Sequence, residues 1–247
     1  MFFILKVIGI IPARYASSRF PGKPLVDLKG KSMIQRVYEG AKRSKQLSEV
    51  IVATDDKRIY DEVVRFGGKV KMTSENHPSG TDRCGEVARA IEDADVVINI
   101  QGDEPLVDYR QLDALIKAFE DKNTQIATLG NKAVNMEDIL NPNRIKIVVD
   151  DKEEALYFSR SAIPNFANLK EDPLESYPFY RHIGLYAYRT DVLQELVRLK
   201  PTALEKIESL EQLRWLYYGY KIKIVETNIE TPNIDVLEDV EKVLPFL

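Results

Sequence analysis

Val7-Ile8-Gly9-Ile10-Ile11 is an apolar and largely β-branched run near the start of the chain. Such a run is typical of a β-strand that is buried on both faces of a sheet. Two further runs of this kind follow, Val50-Ile51-Val52-Ala53-Thr54 and Val96-Val97-Ile98-Asn99-Ile100. A helical pattern over about 32–45 separates the first two runs, and another over about 57–66 follows the second run. Strands that alternate with helices predict an α/β fold with a mixed, mainly parallel sheet.

The second half of the chain has a less regular pattern. Its predicted elements are strands at about 145–149, 183–188 and 222–225, a helix over about 207–218, a last helix near 236–244 and a loop over about 165–180. No repeat or linker divides the sequence. We therefore expect a single domain over residues 1–247, with a smaller lobe inserted at about 130–220.

Composition excludes several classes of partner. The 247 residues include 35 Lys and Arg against 39 Asp and Glu, which gives a formal net charge of −4. Such a balance does not predict binding to nucleic acid or to an anionic membrane. Cys84 has no second cysteine to pair with, which fits a reducing compartment. The apolar N-terminal run is broken at Lys6, and we expect a cytoplasmic protein without a signal peptide.

Charged segments follow the three predicted strands, at 12–25, 54–56 and 101–105. In open α/β sheets, ligands bind beyond the carboxyl ends of the strands, so these segments predict a site at that edge. The first of them is the first loop, Pro12 to Leu25. It contains neither a Walker A sequence nor a G-x-G-x-x-G fingerprint, which argues against P-loop and dinucleotide sites.

The first loop carries three cations, Arg14, Arg19 and Lys23, together with the hydroxyl groups of Ser17 and Ser18. Arginine forks and a lysine ammonium group are suited to phosphate oxygens. A solvated basic loop is the alternative interpretation of the same residues. In a chain of net negative charge, the cluster favours an anion-binding loop.

Asp103 follows the third predicted strand, within Gln101-Gly102-Asp103-Glu104-Pro105. Gly102 allows a close approach of the backbone, and a carboxylate at a strand end suits Mg²⁺, which takes one or two carboxylates and phosphate oxygens. Asp235, before the last predicted helix, is the candidate for a second carboxylate. A turn or helix cap is the alternative role for either aspartate.

These segments resemble the motifs of the 3-deoxy-manno-octulosonate (Kdo) cytidylyltransferases. The other matching segments are 53–56, 77–83, 157–160, 181–188 and 205–214. The resemblance implies a fold of the nucleotide-diphospho-sugar transferase type and a magnesium-dependent homodimer. It also implies that CMP passes from CTP to Kdo, with release of pyrophosphate, for lipopolysaccharide biosynthesis.

The resemblance also assigns roles to individual residues. The implied nucleotide-binding residues are Pro12, Ala13, Arg14, Ser17, Arg19, Lys23, Arg83 and Gln101. The implied sugar-binding residues are Arg160, His182, Tyr186, Glu208 and Gln212, of which the last two are expected on one face of a helix. The implied metal ligands are Asp103 and Asp235, and these two act in catalysis with Arg14 and Lys23. The chain departs from the family at Val236-Leu237, where Thr-Pro is usual, and this leaves the start of the last helix open.

Two alternative functions remain at this point. The enzyme could act on another acidic sugar, such as sialic acid or 8-amino-Kdo, or the chain could be a non-catalytic nucleotide-binding module. The aromatic stretch 215–220 favours a subunit interface, and the core of the smaller lobe is its alternative location.

Overall fold

A computed structural model describes residues 5–16, 20–132 and 134–247. Ser17, Ser18 and Arg19 of the first loop lie outside these ranges. Within them the strands are β1 (Val7–Ala13), β2 (Leu47–Thr54), β3 (Val70–Met72), β4 (Val96–Asn99), β5 (Ile126–Asn131), β6 (Lys146–Val149), β7 (Ala155–Ser159), β8 (Tyr180–Arg189) and β9 (Ile222–Thr227).

Ten α-helices connect and flank these strands in the described ranges. They are α1 (Met33–Ala41), α2 (Lys57–Arg65), α3 (Gly80–Arg89), α4 (Tyr109–Ala118), α5 (Met136–Leu140), α6 (Pro173–Ser176), α7 (Thr190–Leu196), α8 (Ala203–Glu208), α9 (Gln212–Tyr217) and α10 (Glu238–Val243). Short 3₁₀ helices cover Lys23–Leu25 and Leu244–Phe246. None of the helices in the described part of the chain combines the length and apolar character that a membrane span needs.

All nine strands belong to one sheet. Its main order is β3-β2-β1-β4-β8-β5-β9, with β6 paired to β8 and β7 paired to β6. β4 and β5 are both antiparallel to β8, and the β1–β2, β1–β4, β2–β3 and β5–β9 pairs are parallel. Only β7 and β8 therefore run against the common direction of the nine, which confirms the predicted mixed, mainly parallel sheet.

Strand β1 lies at the centre of the core, as its sequence predicts. Val7 and Ile11 pack on one face of the sheet, in a cluster with α1, α2 and α4. Ile8 and Ile10 pack on the other face, in a cluster with α3, α7 and α9. Alternate side chains point to opposite faces of a strand, so an uninterrupted apolar run is the pattern required when both faces are covered.

The predicted helix over 207–218 is wrong. It is two helices, α8 and α9, separated at Ser209, which adopts the left-handed conformation with φ 53° and ψ 47°. Leu210 and Leu213 pack into the same core cluster, so the apolar pattern runs on across the break. Because of the break, Glu208 and Gln212 do not share a helix face.

The smaller lobe stays a prediction. β8 lies within the range expected for that lobe and is also a central strand of the sheet, where it pairs with β4 and β5. The β6–β7 hairpin is joined to it through β6.

Candidate functional site

A cavity of about 270 Å³ opens beyond the carboxyl ends of β1 and β4, and we call it the first cavity. Six predicted nucleotide-binding residues fall within the described ranges, and all six line it: Pro12, Ala13, Arg14, Lys23, Arg83 and Gln101. Ser17 and Arg19 lie outside the described ranges. The cavity is also lined by Asp103 and by the start of α3.

Two glycines let the walls of the first cavity close on each other. A Cβ atom on Gly102 would lie 2.8 Å from the backbone oxygen of Pro12, and one on Gly80 would lie 3.2 Å from Cγ of Pro12. Contacts below 3.0 Å are not tolerated without movement. The strand-end segment that carries Asp103 can therefore sit against β1 only because residue 102 is glycine.

Helix α3 begins at the rim of the first cavity. Ser79 caps it by accepting a hydrogen bond from the backbone of Asp82 at 3.2 Å. One turn later, Arg83 is buried, with Nη2 donating to Asp55 Oδ2 at 2.6 Å and Nη1 donating to the hydroxyl of Thr73. The guanidinium group is held from both sides, and Arg83 forms a rigid part of the wall.

Lys23 and two carboxylates meet between the first loop and the last helix. Lys23 Nζ donates to Asp103 Oδ2 at 2.8 Å and lies 4.0 Å from Asp235 Oδ1. It also donates to the backbone oxygen of Ile234 at 2.9 Å. The two carboxylates therefore approach one cation, as the prediction of a shared site requires.

These carboxylates fit a magnesium ion better than a zinc ion. In the part of the chain that the structure describes, no group of three or more His, Cys, Asp or Glu side chains could hold a metal ion. Mg²⁺ is bound in proteins by one or two carboxylates, with phosphates and water completing its shell. Asp103 lines the first cavity, so a metal ion held there would be open to that cavity.

The alternative role of Asp235 as a helix cap is wrong. Helix α10 begins at Glu238, and its flanking residue Leu237 makes no side-chain cap. The preceding turn is held instead by Asp239, whose Oδ2 accepts hydrogen bonds from the backbone of Asp235 at 3.0 Å and of Val236 at 3.2 Å. The carboxylate of Asp235 is therefore directed to Lys23 and Asn233.

A second cavity, of about 290 Å³, adjoins the first, and the two share Gln101 and Asp103. Gln101 Nε2 donates to the backbone oxygen of Gly184 at 2.9 Å, which ties the end of β4 to β8. The second cavity is lined by both acidic and basic side chains. They include Asp103, Glu104, Arg144, Arg181, His182 and Glu230.

The structure describes all five predicted sugar-binding residues. Of the five, His182 lines the second cavity, and no other does so within the described residues. The ring of His182 lies 5.3 Å from that of Tyr186, which is buried. Arg160 and Glu208 contact each other: Glu208 Oε2 accepts a hydrogen bond from the backbone of Arg160 at 3.0 Å, and Arg160 Nε donates to the backbone oxygen of Glu208 at 2.8 Å. Gln212 is buried at the start of α9.

Burial shifts the protonation of two groups at the second cavity. Desolvation lowers the pKa of His182 to about 3, and the imidazole lies 3.0 Å from the hydroxyl of Thr128. Burial, together with the neighbouring charge of Asp103, raises the pKa of Glu104 to about 8. At neutral pH His182 is therefore an uncharged hydrogen-bonding group, and burial favours the protonated form of Glu104.

Sequence reasoning missed several residues at the site. Glu211 accepts a hydrogen bond from the hydroxyl of Thr81 at 2.7 Å and lies 3.0 Å from that of Ser79, so it joins α9 to the start of α3. Glu211 lies within the matched segment 205–214 but was given no role, whereas Arg144 and Glu230 of the second cavity lie outside the matched segments. Their signal was weak, because Arg144 and Glu230 lie in irregular segments without a recognisable spacing.

Comparison with known proteins gives consistent results over nearly the whole chain. A family model described as cytidylyltransferase matches residues 8–224. A 3-deoxy-manno-octulosonate cytidylyltransferase of Parabacteroides distasonis is 54% identical over 99% of each chain. One of Cytophaga hutchinsonii is 48% identical, over 97% of this chain and 96% of the relative.

Comparison with solved structures agrees with the family model and the relatives in sequence. A CMP:2-keto-3-deoxy-manno-octonic acid synthetase, solved in complex with CTP, is 43% identical and superposes with a TM-score of 0.91 over 98% of both chains. A 4-diphosphocytidyl-2C-methyl-D-erythritol synthase of Anaerococcus prevotii shares the fold at 14% identity, with a TM-score of 0.65 over 98% of both chains. The chain described here belongs to the 3-deoxy-manno-octulosonate cytidylyltransferase family.

Proposed function

We propose that this protein transfers CMP from CTP to Kdo and releases pyrophosphate. The observation that carries the proposal is the pair of adjoining cavities that share Gln101 and Asp103. A transfer between two substrates needs two binding spaces that meet where the bond forms, because most of the rate gain comes from holding the reactants in position. The product, CMP-Kdo, is an activated sugar for lipopolysaccharide biosynthesis.

The first cavity is the proposed CTP site. Arg14 and Lys23 provide cations for a polyphosphate, and Arg83 and the start of α3 line the same cavity. The solved relative in complex with CTP, at 43% identity, supports this assignment. Charge-assisted hydrogen bonds to phosphate are among the strongest polar contacts in proteins.

The second cavity is the proposed Kdo site. Arg144 and Arg181 line it, and a sugar acid needs a cation for its carboxylate. Arg181 is already paired with Glu230, whereas the Nε atom of Arg144 lies 3.6 Å from Asp138 Oδ1. Because His182 is neutral, it can exchange hydrogen bonds with sugar hydroxyl groups and does not repel the arginine cations of the cavity.

In the proposed reaction the anomeric 2-hydroxyl of Kdo attacks the α-phosphorus of CTP. The new bond joins the hydroxyl oxygen to that phosphorus, the bond from the α-phosphorus to the bridging oxygen breaks, and pyrophosphate leaves with that oxygen. The hydroxyl proton passes to solvent water. Arg14 and Lys23 hold the departing phosphates, and positioning with charge stabilisation accounts for most of the catalysis in such transfers.

We further propose that Asp103 and Asp235 hold a magnesium ion, whose positive charge would polarise the phosphates and lower the pKa of a nearby hydroxyl group. The short distance of Lys23 from both carboxylates supports a cation-binding role for them. A homodimer is also proposed. Trp215 is buried, but Tyr217 and Tyr218 are exposed, and exposed tyrosines favour an interface.

Pyrophosphate release tests this function. CTP is compared with ATP, GTP and UTP, each with Kdo, with sialic acid and without a sugar. We expect release with CTP that depends on Kdo. Equal release without Kdo, or with sialic acid in its place, would contradict the proposed acceptor.

A further inference from the structure

Tyr15 lies in the first loop, directly after Arg14 of the first cavity. Its backbone oxygen accepts a hydrogen bond from Gly22 N at 3.0 Å, immediately before Lys23. Gly22 has a φ of 73°, and a Cβ atom there would lie 3.1 Å from the hydroxyl oxygen of Tyr15. The contact of Tyr15 with Gly22 therefore joins two parts of the first loop. These two residues directly adjoin Arg14 and Lys23 in the sequence.

Arg58 packs on the same ring. Its Cζ atom lies 3.2 Å from the centroid of the Tyr15 ring, which is a close cation–π contact. Asp56 fixes the guanidinium group, accepting from Nε at 2.9 Å and from Nη2 at 2.6 Å. Asp56 is itself fixed as the cap of α2, because it also accepts from the backbone of Arg58 at 2.9 Å. A guanidinium held by two parallel hydrogen bonds has little freedom to leave the ring.

The end of β2 thus supports both sides of the first cavity. Asp55 binds Arg83 in one wall at 2.6 Å, and the next residue, Asp56, orients Arg58 on the first loop. Side chains of neighbouring residues point in different directions, so two adjacent aspartates can hold two arginines in different places. Asp55 binds Arg83, which lines the cavity. Arg58 does not line the cavity and acts through its contact with Tyr15.

We propose that Arg58 is a positioning residue for the triphosphate of CTP. Arg58 stacks on Tyr15, and Tyr15 contacts Gly22 across the first loop. These contacts hold the loop at the positions next to Arg14 and Lys23, which line the first cavity. This inference rests on the proposed function of that cavity as the CTP site. Because Arg58 acts on the loop and not on the base, its removal affects binding of the β- and γ-phosphates most.

Arg110 provides a matched control. It forms the same pair with Asp108 at the start of α4, with Nε donating to Oδ1 at 3.0 Å and Nη2 donating to Oδ2 at 2.6 Å. The two arginine side chains are similarly exposed, at 58% and 63%. Arg58→Ala and Arg110→Ala therefore remove equivalent ion pairs, but only the first removes the contact with Tyr15.

The test is calorimetric binding of CTP and of CMP, both without Kdo. We expect Arg58→Ala to weaken CTP binding by about two- to five-fold, the usual range for an exposed cation–π contact. CMP binding should change less, Arg58→Lys should recover part of the loss, and Arg110→Ala should change neither nucleotide. Equal losses for the two alanine variants, or equal losses for CTP and CMP, would overturn the proposal.

A double variant separates positioning from simple loss of positive charge. Tyr15→Leu should weaken CTP binding by itself, and adding Arg58→Ala should then have no further effect. A full additional loss would mean that Arg58 acts through its charge and not through Tyr15. Turnover of the wild-type protein with CTP and Kdo is measured in parallel. If CTP binds but no CMP-Kdo forms, the proposed function fails, while the binding comparison still decides the role of Arg58.

Discussion

Gly102→Ala tests the close contact between the two strand ends that build the first cavity. The new Cβ atom would lie 2.8 Å from the backbone oxygen of Pro12, and neither backbone can swing away as a flexible side chain could. Adding one methyl group to a packed site costs about 1–3 kcal/mol. In a protein of this size each kcal/mol lowers the melting temperature by about 2–4 °C. The same movement displaces Gln101 and Asp103, so CTP binding should weaken as well.

Calorimetry gives both quantities, as the melting temperature and as the affinity for CTP. Gly184→Ala is the control for stability and CTP affinity, because a Cβ atom there meets no atom within 4 Å. We expect the control to keep its melting temperature and its CTP affinity. If Gly102→Ala matches the control in both, the contact between Gly102 and Pro12 does not shape the cavity, and the reasoning fails.

Four further predictions concern charge, pH and assembly. Asp103→Asn and Asp235→Asn should each nearly abolish turnover while circular dichroism shows an intact fold; near-normal activity at limiting magnesium would remove that residue from the site. Arg14→Ala and Lys23→Ala should weaken CTP binding by about 1.5–3 kcal/mol and CMP binding much less; calorimetry showing equal losses would refute a triphosphate role. Because folding lowers the pKa of His182 to about 3, its contribution to stability is present above about pH 6.5 and is lost as the pH falls, by about 1.4 kcal/mol at about pH 5.5. Urea unfolding of His182→Gln should lack this loss, and an equal loss in both proteins would count against it. Light scattering should give about twice 28.3 kDa, and a mass of 28.3 kDa at every concentration would exclude the homodimer.

The sequence predicted the central part of the fold because strong local signals and tertiary packing agree there. The apolar run at 7–11 is buried on both faces, and helices α1 and α2 form within the predicted ranges 32–45 and 57–66. By contrast, the sequence predicted no strand at Val70–Met72, and this strand is only three residues long and partly exposed. Such a strand is defined by its pairing with β2 and not by its own composition.

The first cavity could be predicted from the sequence, whereas the second was predicted only at single residues such as His182, for a physical reason. The first is built at the ends of successive parallel strands, and the topology of an open α/β sheet brings those ends together. The second combines Arg144, Arg181 and Glu230 from remote segments, and no local spacing records that they converge. The break at Ser209 was missed because the residue is not glycine, and the apolar pattern continues across it.

The place of β8 in the sheet has a consequence for the order in which the chain can fold. β4 pairs on one side with β1, which precedes it, and on the other side with β8, whose first residue lies 81 positions after the last residue of β4. During synthesis from the N-terminus, the first four strands are complete long before residue 180 emerges. Until then one edge of β4 presents unpaired backbone groups, which is the form of exposed edge that invites pairing with other chains. A fragment that ends before residue 180 should therefore associate through β4, and closure of the sheet has to wait for a contact of high sequence separation.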